Sequence, residues 1–288
     1  MRLFKRLSGW LLAMAMLLPS LARAENYSDH WYNPSESGWG VTIADHDTQL
    51  FAVWYAYDTD GSPMWFTVPG GTFNANRTYF SGDVYRSTGP YFGAAFNPAA
   101  VSRTKVGTAS FDFAPAGEAP GTVIFSYSVG SGPRAKRIQR LPFGNSPPAW
   151  GLDRTDLWWD AAESGWGLSL AQHGNNVFGV WYTYAQSGRP LFVVMPGVTM
   201  TSPNEFTGTL YTTTGPSHTE ATFNPAQVVR TPVGSATLRF SGDVGTFTAS
   251  VNGVTVVKTI TRQPFGGVPS APLQGDPKRV EENTSGVS

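Results

Sequence analysis

The sequence predicts an all-β protein built from two tandem antiparallel domains. Aromatic residues make up 14% of the 288 residues, charged residues another 14%, and glycine occurs 32 times. This mixture is typical of many short strands joined by tight turns. One set of motifs occurs twice along the chain, and strands with alternating large and small residues can be recognised in both copies.

The duplication is clearest in two motifs that occur in the same order in each copy. Glu-Ser-Gly-Trp-Gly begins at Glu36 and again at Glu163, and Val-Trp-Tyr-x-Tyr begins at Val53 and again at Val180. The agreement continues to a closing Pro-Phe-Gly in each copy. Such collinear similarity predicts one fold used twice.

The N-terminus predicts export from the cytoplasm. Basic residues precede a short apolar run, and small residues around Ala24 form a cleavage site, which together indicate a secretory signal peptide. The mature chain then begins at Glu25 and is expected to be soluble, in the periplasm or secreted. The expected order is signal peptide, first β-domain, Pro-containing linker, second β-domain and disordered tail, over 1–24, 25–144, 145–155, 156–267 and 268–288.

About eight short strands are predicted in each copy, and their even spacing predicts an up-and-down barrel. A β-sandwich of the same strands is the alternative. In the first copy the predicted strands are 38–44, 50–57, 64–69, 79–85, 91–96, 106–113, 122–129 and 134–141.

Strand 50–57 has two unlike faces. One face carries bulky residues, and the other carries Trp54 between Ala52 and Ala56. The space beside this indole is filled either by packing from another part of the fold or by a ligand. Trp181 has the same position in the second copy.

Composition excludes several classes of partner and cofactor. Lys and Arg number 20, Asp and Glu also number 20, so the sequence predicts neither a nucleic-acid nor an anionic-membrane partner. No apolar segment is long enough for a membrane span. The chain has no cysteine, and the pattern predicts no metal site and no cofactor. His46 and His173 fall at predicted hairpin tips, where solvent exposure is expected.

A catalytic role is considered for Glu36 and Glu163, which occupy equivalent positions beside a tryptophan. Either residue can act as a general acid in a hydrolase, or can cap the barrel and pair with a terminal-strand arginine. The second carboxylate that glycoside hydrolysis needs is not retained beside either one. We therefore assign no catalytic residue and expect a non-catalytic protein, with a hydrolase that uses Glu36 or Glu163 as a further alternative.

Aromatic residues are the better candidates for function. They either form a stacking surface for a small molecule or glycan, or fill the domain cores. A protein-interaction or scaffold role, with a secreted or envelope protein as partner, is the alternative to ligand binding. The candidate ligand-binding residues are Trp54, Trp181, Tyr55, Tyr182, Trp65, Glu36 and Glu163.

Two resemblances to known proteins are visible. The Glu-Ser-Gly-Trp-Gly and Trp-Tyr-x-Tyr repeat resembles a widespread, functionally uncharacterised group of exported bacterial proteins, and implies no activity. The ends of each copy resemble the lipocalin and avidin (calycin) barrels, in which a basic residue of the last strand packs across a Gly-Trp tryptophan. This implies barrel closure by Trp39 with Arg140 or Lys136, and by Trp166 with Arg262 or Lys258.

Overall fold

A computed structural model describes residues 25–130, 132–144, 153–202 and 204–265. The predicted signal peptide, most of the predicted linker and the predicted tail lie outside these residues. Strands dominate the described part, and its helical elements are short 3-10 turns. In this part of the chain, no helix has the length and apolar character needed to cross a membrane.

The first copy folds into a closed antiparallel barrel. Its strands are β1 (Asp29–Tyr32), β2 (Gly40–His46), β3 (Gln49–Tyr57), β4 (Pro63–Val68), the two-residue β5 (Thr72–Phe73), β6 (Tyr79–Thr88), β7 (Ser102–Asp112), β8 (Val123–Val129) and β9 (Pro133–Arg140). β1 pairs with β9, and β4 pairs with β6 through Phe66 and Arg86, which closes the ring.

The second copy repeats this barrel. Its strands are β10 (Asp156–Trp159), β11 (Gly167–His173), β12 (Asn176–Tyr184), β13 (Pro190–Ser202), β14 (Glu205–Thr214), β15 (Val229–Ser241), β16 (Val244–Val251) and β17 (Val254–Arg262). They form a closed ring in chain order. Arg154, which the sequence analysis placed in the linker, is buried and donates a hydrogen bond to the Gly242 carbonyl of this barrel.

The fold class is confirmed, but one predicted strand is wrong. Residues 91–96 form a loop, and the additional strand is β1, which precedes the first Glu-Ser-Gly-Trp-Gly motif. β1 has only four residues and includes Asp29 and His30, so it carries little strand signal. The two-residue β5 was not predicted either; apart from it, the two errors cancel in the predicted number of eight strands.

The two faces of β3 point into different environments, and both are buried. Trp54 lies inside the barrel against Phe66 and Phe125, with ring centroids 4.7 and 5.5 Å away. On the opposite face, Tyr55 packs against Phe192 of the second barrel at 5.4 Å. The bulky face predicted from sequence is therefore the surface on which the two barrels associate.

An approximate two-fold relation governs the seam between the barrels. The Gly89 N–H donates to the Gly188 carbonyl, and the equivalent Gly215 N–H donates to the Gly61 carbonyl, both over 3.1 Å. Arg189 adds a contact that breaks the symmetry, because it pairs with Asp60 at 2.6 Å, and this guanidinium lowers the pKa of the Asp60 carboxyl.

The closing Pro-Phe-Gly motifs cross this seam. Phe143 of the first copy stacks on His173 of the second, and Phe265 of the second stacks on His46 of the first, at 4.0 and 3.7 Å. Each imidazole also lies close to a buried carboxylate of the opposite copy, as His173 does to Asp29 at 3.1 Å. The predicted solvent exposure of both histidines is wrong, since their side chains are only 6% and 9% exposed.

Candidate functional site

The Glu-Ser-Gly-Trp-Gly motif fixes an ion pair at one end of each barrel. Glu36 accepts a hydrogen bond from the Trp39 indole at 3.2 Å and one from Lys136 at 2.7 Å. The second copy repeats both contacts with Glu163, Trp166 and Lys258. The partner on the last strand is therefore a lysine, where the sequence analysis had favoured an arginine.

The motif's first glycine has a steric role. Gly38 has φ +131°, and a Cβ atom there would lie 2.5 Å from the Val228 side chain of the other copy. Gly165 has φ +132° and the same relation to Val101. A side chain at either position would be strained and would push the barrels apart.

Barrel closure by an arginine over a tryptophan occurs, but on a different tryptophan from the expected one. The Arg140 guanidinium lies 4.7 Å from the Trp31 ring centroid, and Arg262 lies 4.8 Å from Trp158. Each arginine is the cross-strand partner of that tryptophan, in β1–β9 or β10–β17. The expected arginine pairs Trp39–Arg140 and Trp166–Arg262 are replaced because β1, rather than the Gly-Trp segment, adjoins the last strand. The lysine alternative is present in the second copy, where Lys258 Nζ lies 5.9 Å from the Trp166 ring centroid.

Trp54 and Trp181 fill the barrel interiors, where they are 2% and 3% exposed. The space beside each indole is occupied by a loop from the opposite copy. His218 meets the Trp54 ring edge to face at 5.5 Å, and Phe92 meets Trp181 in the same way at 5.1 Å. Of the two alternatives left open by the sequence, packing therefore accounts for this space.

A small cavity remains beside Trp54, lined also by Glu36, Lys136, His218 and Glu220. The second copy thus brings His218 and Glu220 to the first copy's glutamate. The cavity volume is only about 20 Å³, which is room for about one water molecule. The cavity is too small to hold a sugar ring beside the Glu36 carboxylate, so it does not favour a hydrolase.

Two larger grooves lie along the seam, on opposite sides of the approximate two-fold axis. Groove A has a volume of about 340 Å³ and is lined by Phe51, Val53, Trp65, Thr67, Ser87, Pro98, Val101, Arg103, Leu157, Trp159, Ser164, Gly165, Trp166, Gly167, Leu168, Tyr182 and Gln263. Groove B has a volume of about 360 Å³ and is lined by Tyr32, Ser37, Gly38, Trp39, Tyr55, Leu141, Phe178, Phe192, Val194, Pro196, Thr213, Pro225, Val228 and Arg230. Both volumes fall in the range of small-molecule sites.

The two grooves are equivalent in position and different in chemistry. Trp159, Trp65, Thr67 and Gln263 of groove A are replaced in groove B by Tyr32, Phe192, Val194 and Leu141. Groove A therefore combines indoles with hydroxyl and amide groups, whereas groove B is more apolar. Indole faces beside polar side chains are suited to stacking on and hydrogen bonding to a sugar.

The residues predicted to bind a ligand do not form one site, and lie in the two grooves, the small cavity, an ion pair and a barrel interior. Trp65 and Tyr182 line groove A, Tyr55 lines groove B, and Glu36 and Trp54 line the small cavity. Glu163 lies in the ion pair with Lys258, and Trp181 lies inside the second barrel. The structure adds Trp159 and Arg103, which the sequence reasoning missed. The visible signal for Trp159 was the aromatic pair before each Glu-Ser-Gly-Trp-Gly motif, Trp158-Trp159 in the second copy and Trp31-Tyr32 in the first.

A buried polar network supports groove A from below. The Tyr182 hydroxyl lies 2.8 Å from the Thr42 hydroxyl, which also contacts His30 Nδ1 at 2.9 Å. Burial lowers the pKa of His30 to about 4 and raises that of Tyr182. Both groups are therefore neutral near pH 7, and the network fixes the Tyr182 ring across the seam.

Among the described residues, no group of three or more His, Cys, Asp or Glu side chains is placed to hold a metal ion. In comparisons with known proteins, no family model matched the chain, and no curated protein and no solved structure was found to be similar. The chemistry of the two grooves is therefore the basis for a functional assignment.

Proposed function

We propose that the protein is a non-catalytic binding protein that holds a small molecule or glycan in groove A. The observation that carries this proposal is the groove itself, an opening of about 340 Å³ walled by Trp65, Trp159, Trp166 and Tyr182. The barrels are filled by their own aromatic residues and by a loop of the opposite copy, so the binding site lies between the copies and needs both of them.

A matched pair of variants tests this proposal. Trp159 and Tyr32 occupy equivalent positions in grooves A and B, and both are partly exposed, so replacement by alanine leaves the cores intact. The thermal midpoint of residues 25–288 is measured against a panel of neutral glycans, charged glycans and small aromatic molecules. A ligand that binds only the folded state stabilises it by mass action, by about 2.7 kcal/mol at a hundredfold excess over Kd, and this raises the thermal midpoint.

We expect at least one compound class to raise the midpoint of the wild-type and Tyr32→Ala proteins but not of Trp159→Ala. Loss of the response in Tyr32→Ala alone would move the site to groove B. A panel without any response would contradict ligand binding and favour the second candidate function.

The second candidate is a protein-interaction role centred on groove B. This groove is lined by the apolar residues Leu141, Val194 and Pro196. An apolar surface of this kind suits a protein partner. Capture of an envelope or secreted protein that is lost in Leu141→Asp, and retained in Gln263→Asp, favours this role, because Gln263 has the equivalent position in groove A and both residues are partly exposed.

We also propose that the protein works outside the cytoplasm, in the periplasm or the medium. The support is the basic and then apolar N-terminal sequence before Ala24. Cell fractionation followed by mass spectrometry is expected to find a mature N-terminus at Glu25. Recovery of the intact Met1 form from the cytoplasm would contradict this.

A further inference from the structure

The charge of groove A comes from a single side chain. Among the described residues that line it, Arg103 is the only one whose side chain is charged near pH 7. Groove B repeats this feature with Arg230 as its only charged lining residue. Both grooves therefore present positive charge and no carboxylate to a ligand.

The position of Arg103 keeps this charge available. Its guanidinium lies 4.9 Å from the centroid of the Tyr85 ring, and it stands opposite Ser87 in the pairing of β6 with β7. Stacking on an aromatic ring orients the guanidinium plane without neutralising it. Within the described residues Arg103 forms no ion pair, whereas Lys105 on the same strand lies 2.8 Å from Asp83.

We infer that groove A binds an acidic glycan, in which Arg103 pairs with the carboxylate of a uronic acid unit and Trp159 stacks on a sugar ring. This inference rests on the proposed ligand-binding function and specifies its ligand. Arginine pairs with carboxylates through two parallel hydrogen bonds. The amide of Gln263 and the hydroxyl of Ser164 are available for sugar hydroxyls, and groove B has Leu141 in place of the amide.

The test compares acidic and neutral sugars that differ only at C6. Isothermal titration calorimetry on residues 25–288 uses tetramers of β-1,4-linked glucuronic acid and glucose, and tetramers of α-1,4-linked galacturonic acid and galactose. The variants are Arg103→Gln and, as the matched control, Arg230→Gln. Both arginines are exposed, so both variants are expected to fold like the wild type, which circular dichroism checks.

We expect one acidic tetramer to bind, its neutral counterpart to bind more weakly, and Arg103→Gln to lose roughly tenfold or more of the affinity for the acidic form, as the loss of a charge-assisted pair predicts. Arg230→Gln should bind like the wild type. The affinity should fall with increasing salt.

Other outcomes separate this inference from the proposed function. Equal binding of acidic and neutral tetramers, unchanged in Arg103→Gln, overturns the acidic ligand but leaves groove A as a glycan site. Loss of binding in Arg230→Gln alone overturns the assignment to groove A. If no tetramer binds while another compound gives a shift that depends on Trp159, the acidic glycan is rejected and the proposed function stands.

Discussion

At the scale of single residues, tryptophans of similar sequence context have different roles. Trp54, Trp31 and Trp159 lie in the core, in barrel closure and in groove A, respectively. The alternation in the sequence correctly placed Ala52 and Ala56 on the same face of the strand as Trp54. It did not indicate that His218, more than a hundred positions away, fills the space beside the indole. Periodicity reports which face a side chain occupies, and it contains no information on what covers that face.

Trp54→Ala is expected to lower the free energy of unfolding by about 3 to 5 kcal/mol, because a fully buried indole leaves a cavity that the barrel cannot close. Urea denaturation followed by circular dichroism measures this. Tyr79→Ala is the control, since Tyr79 is 42% exposed and its loss should have little effect. A loss at Trp54 as small as that at Tyr79 would contradict its placement in the core.

His30 is expected to make stability depend on pH. Burial lowers its pKa from 6.5 to about 4, with Asp29 opposing the shift and His173 adding to it. Between these values the unfolded chain binds a proton at His30 that the folded chain does not, so the free energy of unfolding falls as pH decreases from 6.5 towards 4. The loss is at most about 3 kcal/mol.

The matched variant is His30→Leu, because the equivalent residue in the second copy is Leu157. Urea denaturation at several pH values in this window should show a shallower pH dependence for His30→Leu than for the wild type. Equal slopes would show that another group titrates.

At the scale of elements, strands with strong alternation, such as β3 and β12, were predictable, and the short β1 was not. The loop after β6 was predicted as a strand because Tyr91, Phe92 and Phe96 have strand-like composition. Their aromatic character has another cause, which is that Phe92 is buried against Trp181 of the opposite barrel. Residues selected for contact with a distant element are easily mistaken for a local strand.

Phe92→Ala is expected to destabilise the second barrel although the substitution lies in the first copy. Phe92 is only 8% exposed, and its removal uncovers Trp181 at the end of that barrel. For amides that exchange by local opening, hydrogen exchange measured by mass spectrometry should become faster in β11, β12 and β13, and less so in β7, β8 and β9. If local exchange in β11, β12 and β13 did not become faster, the role of this loop as a cap would be contradicted.

At the scale of the whole molecule, the duplication and the barrel class were predictable from the repeated motifs, and the association of the barrels was not. The seam residues occur in both copies, as His46 and His173 do, but nothing in one sequence states that equivalent positions face each other across an axis. One hydrophobic cluster contains Tyr55 and Tyr57 of the first copy together with Tyr182 and Phe192 of the second. The copies therefore share part of their core.

The shared core predicts that both barrels unfold as one cooperative unit. Urea transitions followed by tryptophan fluorescence and by far-ultraviolet circular dichroism should coincide, as two-state behaviour requires. Two separate transitions would mean that the seam contributes little to stability.

The approximate two-fold axis relates two grooves that belong to one chain and can differ in sequence. In a homodimer of a single copy the two grooves would be identical, because one gene would encode both and every substitution would appear twice. Joining the copies in one chain removes that constraint, because a substitution in one copy alters one groove alone. The equivalent positions can then differ, as Trp159 in groove A differs from Tyr32 in groove B. Covalent fusion thus preserves the geometry of a symmetric pair while letting its two surfaces specialise independently.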